Sequence, residues 1–583
     1  MHLDQILAEL LRNNELPSDA TLQETMKLRS QANEDLLHID TEIQRLIAKR
    51  EQVQRSLDIY NTILSPARRL LSDILQEIFY HCITQTYPIL SASEAPMVLT
   101  RVCSLWRSVA LSSPRIWTRL HIPLPGDPRV SSNYVMINAR TLELRRQKFS
   151  KTMALRCQAV KEWLDRSGSC PLSLSIAYPF DYAPPIGNGE GEDDDDGVDP
   201  LFQIIHSSAP RWEHLNLSMP LSIYRKLETK VPIDSLSKLQ GFTGNILSPG
   251  PPVGAALAST PTPLHIMEVP SLETLSLNCL QLTINLGHYR NSWNHLTDIC
   301  FESPVFDTDL LEMLRQCHNL IILDVNMQVP WVRQEGREPN LAMILLPHLK
   351  SLKLRETGSS SSAISAVNAP SLKLLQYRCP HRHHDNIGVN EARLSRPEAL
   401  IWLISNAAAS LETLSIDPYT FESEHVLECL RLAVHVKHLT FGDDLLFDPD
   451  PEEDIRYHDF FDLQVFTVPT TEYESASTSS VPLQNEFLLS KLESLEVNNG
   501  CMIEDEKIRR ILTSRIEATQ RGLTSPLRCV KIQFWRQKEE DIVPEIVVRA
   551  RDAGVVMKLD LMYRPSGFPN VGPLSPSFLL PDP

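Results

Sequence analysis

Between about Thr21 and Leu64, apolar side chains recur at alternating steps of four and three: Ala32, Leu36, Ile39, Ile43, Leu46, Val53, Leu57, Tyr60 and Leu64. Arg50 is the one charged residue in the series. This is a heptad seam, and it predicts one long helix. Glu42, Arg45, Lys49, Glu51 and Arg55 fall outside the seam and keep the other faces wet. A helix of this length does not bury its stripe by itself. Two partners fit: the chain's own helices, including Leu3–Leu11, or a second copy of the chain, giving a homodimer through the coiled coil.

After Leu64 the period stays helical but the elements shorten. Ile74, Leu75, Ile78, Phe79 and Ile83 form one apolar face, with Ser72 expected to cap it and Asp73 in its first turn. Pro96 permits a fresh start after a loop. Trp106, Val109 and Ala110 give a second helix its buried side, and Pro114 stops it. About fifty residues with this many large apolar groups bury only part of them internally, so a partner surface is expected.

Further on, one phrase recurs: Leu272-x-x-Leu275-x-Leu277, Leu296-x-x-Ile299-x-Phe301, Leu320-x-x-Leu323-x-Val325, Leu349-x-x-Leu352-x-Leu354 and Leu372-x-x-Leu375-x-Tyr377. It resumes at Leu411, Val436, Leu463 (with Phe466 and Val468) and Leu492, with poorer copies at Trp212 and Leu527. The central positions 275, 299, 323 and 352 lie 24, 24 and 29 residues apart, the spacing of leucine-rich repeats. Helical patterns such as Asp307–Cys317, Val426–Val434 and Ile503–Thr519 fall between copies. Each unit is therefore predicted to be a short strand and a helix, stacked into a curved solenoid with a parallel sheet. The first strand is expected at Leu172–Ile176. The repeat's usual Asn or Cys is missing from each copy, with Pro304, Gln328, Thr357, Pro380 and Tyr419 in its place, so the horseshoe should be irregular. Pro270, Pro347 and Pro370 just before strands fit, because proline there ends the preceding helix without removing a central ladder bond.

Composition narrows the function. A length of 583 residues exceeds one ordinary core, and the 42% hydrophobic and 22% charged fractions are those of a folded chain. The net charge of -17 argues against a nucleic-acid partner. No stretch reaches the roughly 20 uncharged apolar residues that span a bilayer, and Met1–Asn14 lacks the features of a secretory signal, so no membrane partner and a cytosolic or nuclear place are expected. The eleven cysteines contain no C-x-x-C pair and read as reduced core residues. Residues 183–200, with the run Asp193–Asp196, are expected to be a solvated acidic loop. Gly358–Ser362 and Ser475–Ser480 read as hydroxyl-rich loops, and Arg564–Pro583 as a disordered Pro-rich tail. The cluster from Cys379 to Asp385 lacks a second ligand pair at zinc spacing. There is no phosphate loop, no G-x-S-x-G elbow and no thiol with an evident His partner, so neither catalysis nor a cofactor is expected.

The helical segment can be compared with a known motif. Ser65-Pro66, Leu70-Leu71, Asp73-Ile74-Leu75-Gln76-Glu77-Ile78-Phe79, Val102-Cys103-Ser104-Leu105-Trp106-Arg107 and Ile116-Trp117 resemble the F-box across its whole length. With the preceding coiled coil, the arrangement is similar to the large F-box group of mushroom-forming fungi. One departure stands out: Leu71 occupies the position where the family usually has proline, which would fix the entry to the first helix. The resemblance implies a non-enzymatic substrate-recognition adaptor of a Skp-cullin-F-box ubiquitin ligase. A Skp-type adaptor on a cullin scaffold would be bound through Leu70, Leu71, Leu75, Ile78, Phe79, Val102, Cys103, Trp106 and Trp117, some of which should be core. An unidentified target protein would be bound by the repeats. A non-degradative interaction scaffold with an unused F-box is the alternative.

The expected architecture is thus α/β: a helical coiled coil over 1–64, a helical F-box over 65–120, an irregular leucine-rich repeat solenoid over 121–563, and the tail 564–583.

Overall fold

In the computed structural model the chain is described over residues 2–13, 15–126, 128, 138–179, 197–247, 264–280, 286, 293–328, 342–357, 363–378, 397–417, 421, 423–442, 461–468, 487–501, 503–534 and 536–563. The acidic run 193–196, the hydroxyl-rich stretches 358–362 and 475–480, the cluster 379–385 and the tail 564–583 lie outside the described residues.

A short helix α1 (His2–Asn13) precedes α2 (Asp19–Leu64), the 46-residue helix that the heptad seam predicts. Ser18 caps α2, its hydroxyl accepting from the Thr21 N–H at 3.3 Å, which satisfies one of the orphan donors of the first turn. No residue of α2 is buried. The seam is therefore not folded back into the chain's own core.

Helices α3 (Ser72–His81) and α4 (Ser104–Leu111) follow. Among the described residues, fourteen strands then form one sheet. In its first half lie β1 (Arg119–Pro123), β2 (Leu172–Ala177), β3 (Trp212–Pro220), β4 (Gly241–Leu247), β5 (Thr274–Leu280), β6 (Asp298–Phe306) and β7 (Ile322–Gln328). A minor strand β8 (Ile344–Leu345) stands apart, and β9 (Ser351–Thr357) continues the sheet. The second half has β11 (Leu374–Arg378), β12 (Thr413–Ile416), β13 (His438–Phe441), β14 (Ser494–Cys501), β15 (Cys529–Phe534) and β16 (Lys558–Met562), while β10 (Val367–Asn368) pairs only with β8. Spatial order follows chain order from β1 to β16, the β8–β10 pair excepted, and each neighbouring pair is parallel.

The register explains the recurring phrase. Leu120, Leu174, Leu215, Phe242, Leu275, Ile299, Leu323, Leu352, Leu375, Leu414, Leu439, Leu495, Val530 and Leu559 stand side by side, one from each strand. Residues two apart along a strand share a face, so this row and the next apolar row point together into the core. A single continuous apolar cluster runs from Leu75 to Met557. Covering that face are α5 (Ala139–Arg166), α6 (Asp199–His206), α7 (Leu221–Lys230), α8 (Asp307–Leu314), α9 (Ala363–Ala366), α10 (Pro397–Ala407), α11 (Ser423–Leu432), α12 (Asp505–Gln520) and α13 (Val543–Asp552). The chain is α/β, with a long N-terminal helix and a large parallel sheet.

Three expectations need correction. The first strand is Arg119–Pro123, not Leu172–Ile176: it starts two residues after Trp117 and pairs Leu120 with Leu174. The Leu463 phrase is a 3-10 turn, Leu463–Phe466, and β13 pairs directly with β14. Ser72 does not cap α3. It is the first helical residue, and Leu71 in extended conformation precedes it, with no side-chain cap bond.

Candidate functional site

Residues 65–120 form a small helical unit whose geometry is set by rings. Phe79 of α3 meets Trp106 of α4 with centroids 5.0 Å apart, a favourable tilted aromatic contact. Cys103 is the N-cap of α4, its Sγ accepting from the Trp106 N–H at 3.4 Å. The Val-Cys-x-x-Trp spacing therefore places a cap and the ring it steadies three residues apart. The Trp117 indole is fully buried, donates from Nε1 to the Ala110 carbonyl at 2.8 Å, and stands edge-on to Trp163 of α5 at 4.8 Å.

The apolar face expected on α3 splits into two. Leu75, Phe79 and Ile83 point inward, whereas Ile74 is 47% and Ile78 39% exposed. On the same outer side in sequence, Leu71 is 69% exposed, and ahead of and within α4 Val102 is 56% and Leu105 41% exposed. Ile74 and Ile78, four residues apart on α3, form one stripe of the helix, and Leu71 precedes them in extended conformation. The two exposed stripes belong to elements joined through the Phe79–Trp106 contact.

Of the residues expected to meet a partner, Leu71, Ile78, Val102 and Cys103 are at the surface. Leu70 and Trp106 are partly buried against the core. Leu75, Phe79 and Trp117 are core residues and support the surface from within. The sequence reading put Ile74 on the apolar face of α3 but left both Ile74 and Leu105 out of the partner-binding set, although both lie three residues from a member of it. It also missed the polar frame: Arg115 bridges to Glu77 at 3.2 Å and covers the Tyr80 ring at 4.2 Å, and the Arg107 Nε–H donates to the Thr100 carbonyl at 2.7 Å.

The open face of the sheet is a second surface. Asn216, Thr243, Ser276, Cys300, Asp324, Lys353 and Gln376 lie in one row across consecutive strands, opposite in direction to the apolar rows. Its β2–β5 end is neutral and polar. Beyond it, cross-strand ion pairs follow: Asp324 with Arg355 at 2.6 Å and Lys353 at 3.6 Å, then Glu496 with Lys531 at 2.5 Å. Such half-exposed pairs add little stability but give the face a fixed pattern of charge.

Among the described residues no group of three or more His, Cys, Asp or Glu could hold a metal ion, and no helix is long and apolar enough to cross a membrane. The nine cysteines whose side chains are described are free, and burial pushes the thiols of Cys279, Cys317 and Cys429 up to about 12, the opposite of an activated nucleophile. No protein-family model matches this chain, and a search of curated proteins returns no match.

Proposed function

We propose that this chain is an F-box protein: residues 65–120 dock a Skp-type adaptor carried on a cullin, and an irregular leucine-rich repeat solenoid recognises the protein to be ubiquitinated. The observation that carries the reading is the exposure of Leu71, Ile74 and Ile78 together with that of Val102 and Leu105, on elements held by buried Leu75 and Phe79 and by the partly buried Trp106 ring. Five large exposed apolar side chains on two packed elements are more than a short helical unit of a monomer ordinarily leaves without a partner. The repeat reading is supported by the phrase residues standing in register, strand after strand. The polar open face of the sheet is the natural target surface, because successive strands there present one variable side chain each.

The receptor itself makes and breaks no bond. By holding scaffold and target at once, it raises the local concentration of target lysines near the ubiquitin-carrying enzyme. Residues 65–120 and the open face are separate regions, so the two binding events should be nearly independent.

The alternative, a scaffold that never meets an adaptor, draws on Leu71 standing where the motif has proline. Leu71 adopts φ -67 and ψ 151, a conformation that proline shares, which weakens that objection. The test is calorimetric titration of a purified Skp-type adaptor into the full chain and into the double variant Ile74→Asp, Ile78→Asp, with circular dichroism as the check on folding. The wild type should bind and the folded double variant should lose at least tenfold in affinity. Absence of binding by the wild type, or equal binding by both, would leave the scaffold reading.

A further inference from the structure

We propose that α2 pairs with α2 of a second copy of this chain in antiparallel orientation, with Ile43 opposite Leu46 of the second copy. The proposal does not depend on the F-box reading.

Three observations lead to it. The helix has 46 residues, about 70 Å at 1.5 Å per residue, and none of them is buried. Its seam nevertheless runs through nine turns or so of unbroken four-three spacing, far more order than a solvated helix requires. Neither apolar face nor length is absorbed by the rest of the molecule, and a helix of this kind owes its stability to packing.

Charge decides the orientation. In a parallel, in-register pair each residue faces its own copy, so Arg50 would meet Arg50 and, three heptads earlier on the same seam, Arg29 would meet Arg29. The flanking positions would also set Asp35 against Asp40 of the other chain. All of these contacts repel. In an antiparallel pair each first-type seam position lies opposite a second-type one, and only registers seven residues apart are allowed. With Ile43 opposite Leu46, Arg50 lies opposite Ile39 and Arg29 opposite Tyr60, whose ring can receive a guanidinium. On the flank, Glu42 meets Lys49 of the second copy, and the two-fold axis makes that contact twice. Sliding one heptad in one direction sets Glu42 against Glu42; sliding in the other sets Lys49 against Lys49. Glu42 presently takes the Arg45 guanidinium of its own chain at 2.7 Å, with both side chains well exposed, an arrangement weak enough to admit a second cation.

The midpoint of this pair falls between Gln44 and Arg45. The two copies of Ser65, where the next segment begins, would then sit about 60 Å apart at opposite ends of the rod. Two docking units would face away from one another, and neither would crowd the other.

The test uses the full chain. Light scattering at micromolar concentration should give the mass of a dimer. Lys49→Glu should weaken dimerisation roughly tenfold, since two attractions become two repulsions, and adding Glu42→Lys to it should restore the affinity; circular dichroism verifies that α2 persists in each variant. A parallel pair has no contact between positions 42 and 49 and would respond to neither change. Independently, p-benzoylphenylalanine in place of Asn33 should crosslink near Gln54 of the second copy. A monomeric mass, crosslinks between the two segments around position 33, or a folded Lys49→Glu variant that dimerises as tightly as wild type would each overturn the proposal.

Discussion

The indole of Trp117 stands edge-on to that of Trp163, with ring centroids 4.8 Å apart and planes at 84°. One ring ends the helical unit and the other belongs to α5, which covers the sheet, so the two parts share a core. Arg166 adds a cation over the Trp117 ring at 4.9 Å.

Trp117→Ala should therefore destabilise the start of the sheet as well as the helices. Loss of a fully buried indole and of its bond to the Ala110 carbonyl is expected to cost about 3–5 kcal/mol. A chain beginning at Val130 would lack both Trp117 and β1, leaving β2 as a bare edge. Urea unfolding followed by tryptophan fluorescence should show a lower midpoint for both; an unchanged midpoint would mean that the contact carries no stability.

Neighbouring residues of α3 should behave in opposite ways. Leu75→Ala and Phe79→Ala empty fully buried sites and should each cost on the order of 2–5 kcal/mol. Ile74→Ser and Ile78→Ser alter exposed positions and should change stability by less than about 1 kcal/mol. Thermal melts of the four variants decide this, and comparable losses in both pairs would contradict the split face.

Leu71→Pro should stabilise. Leu71 has φ -67, and Leu70 before it is extended at φ -70 and ψ 133, the conformation required ahead of a proline. Restricting the unfolded chain there is expected to contribute about 0.4–1 kcal/mol. A melt lower than wild type would show that the Leu71 side chain or N–H has a role.

A buried network near the C-terminal end of the sheet should respond to acid. Burial works to raise the Asp505 carboxyl, but Arg536 at 2.6 Å, the Glu540 and Glu539 backbone N–H groups and the Tyr563 hydroxyl outweigh it and hold it at about 2 instead of 3.8. A depressed folded value contributes stability that is fully present above the unfolded value and is lost as pH falls from about 4 to about 2. The contribution is about 2 kcal/mol. Asp505→Asn should lower stability at pH 7 and flatten its dependence between pH 4 and pH 2. Parallel curves for variant and wild type would rule the network out as the acid-sensitive element.

The sequence by itself determined the repeating strand and the long helix, because both are periodic and local. A Leu-x-x-Leu-x-Leu phrase dictates which side of a strand is apolar wherever the strand ends up, and the seam of α2 needs only helical geometry. The Val-Cys-x-x-Trp and Ile-Phe spacings likewise marked Trp106 and Phe79 before their contact was known. Tertiary structure decided the rest. Leu463-x-x-Phe466-x-Val468 has the strand phrase but turns instead, since a distant helix satisfies its backbone: Arg515 donates to the carbonyls of Phe466, Leu488 and Leu489, and Val468 donates to the Ser514 hydroxyl at 3.1 Å. Strand β4 escaped notice for the converse reason. Gly244 stands at its last apolar position, and that space is taken by the Phe242 ring, which a Cβ there would meet at 2.9 Å. Which half of the α3 stripe became surface was settled by Trp106, which closes over Phe79 and leaves Ile74 and Ile78 outside. Periodicity states that a side is apolar; only the neighbours that arrive from elsewhere in the chain determine whether it is covered.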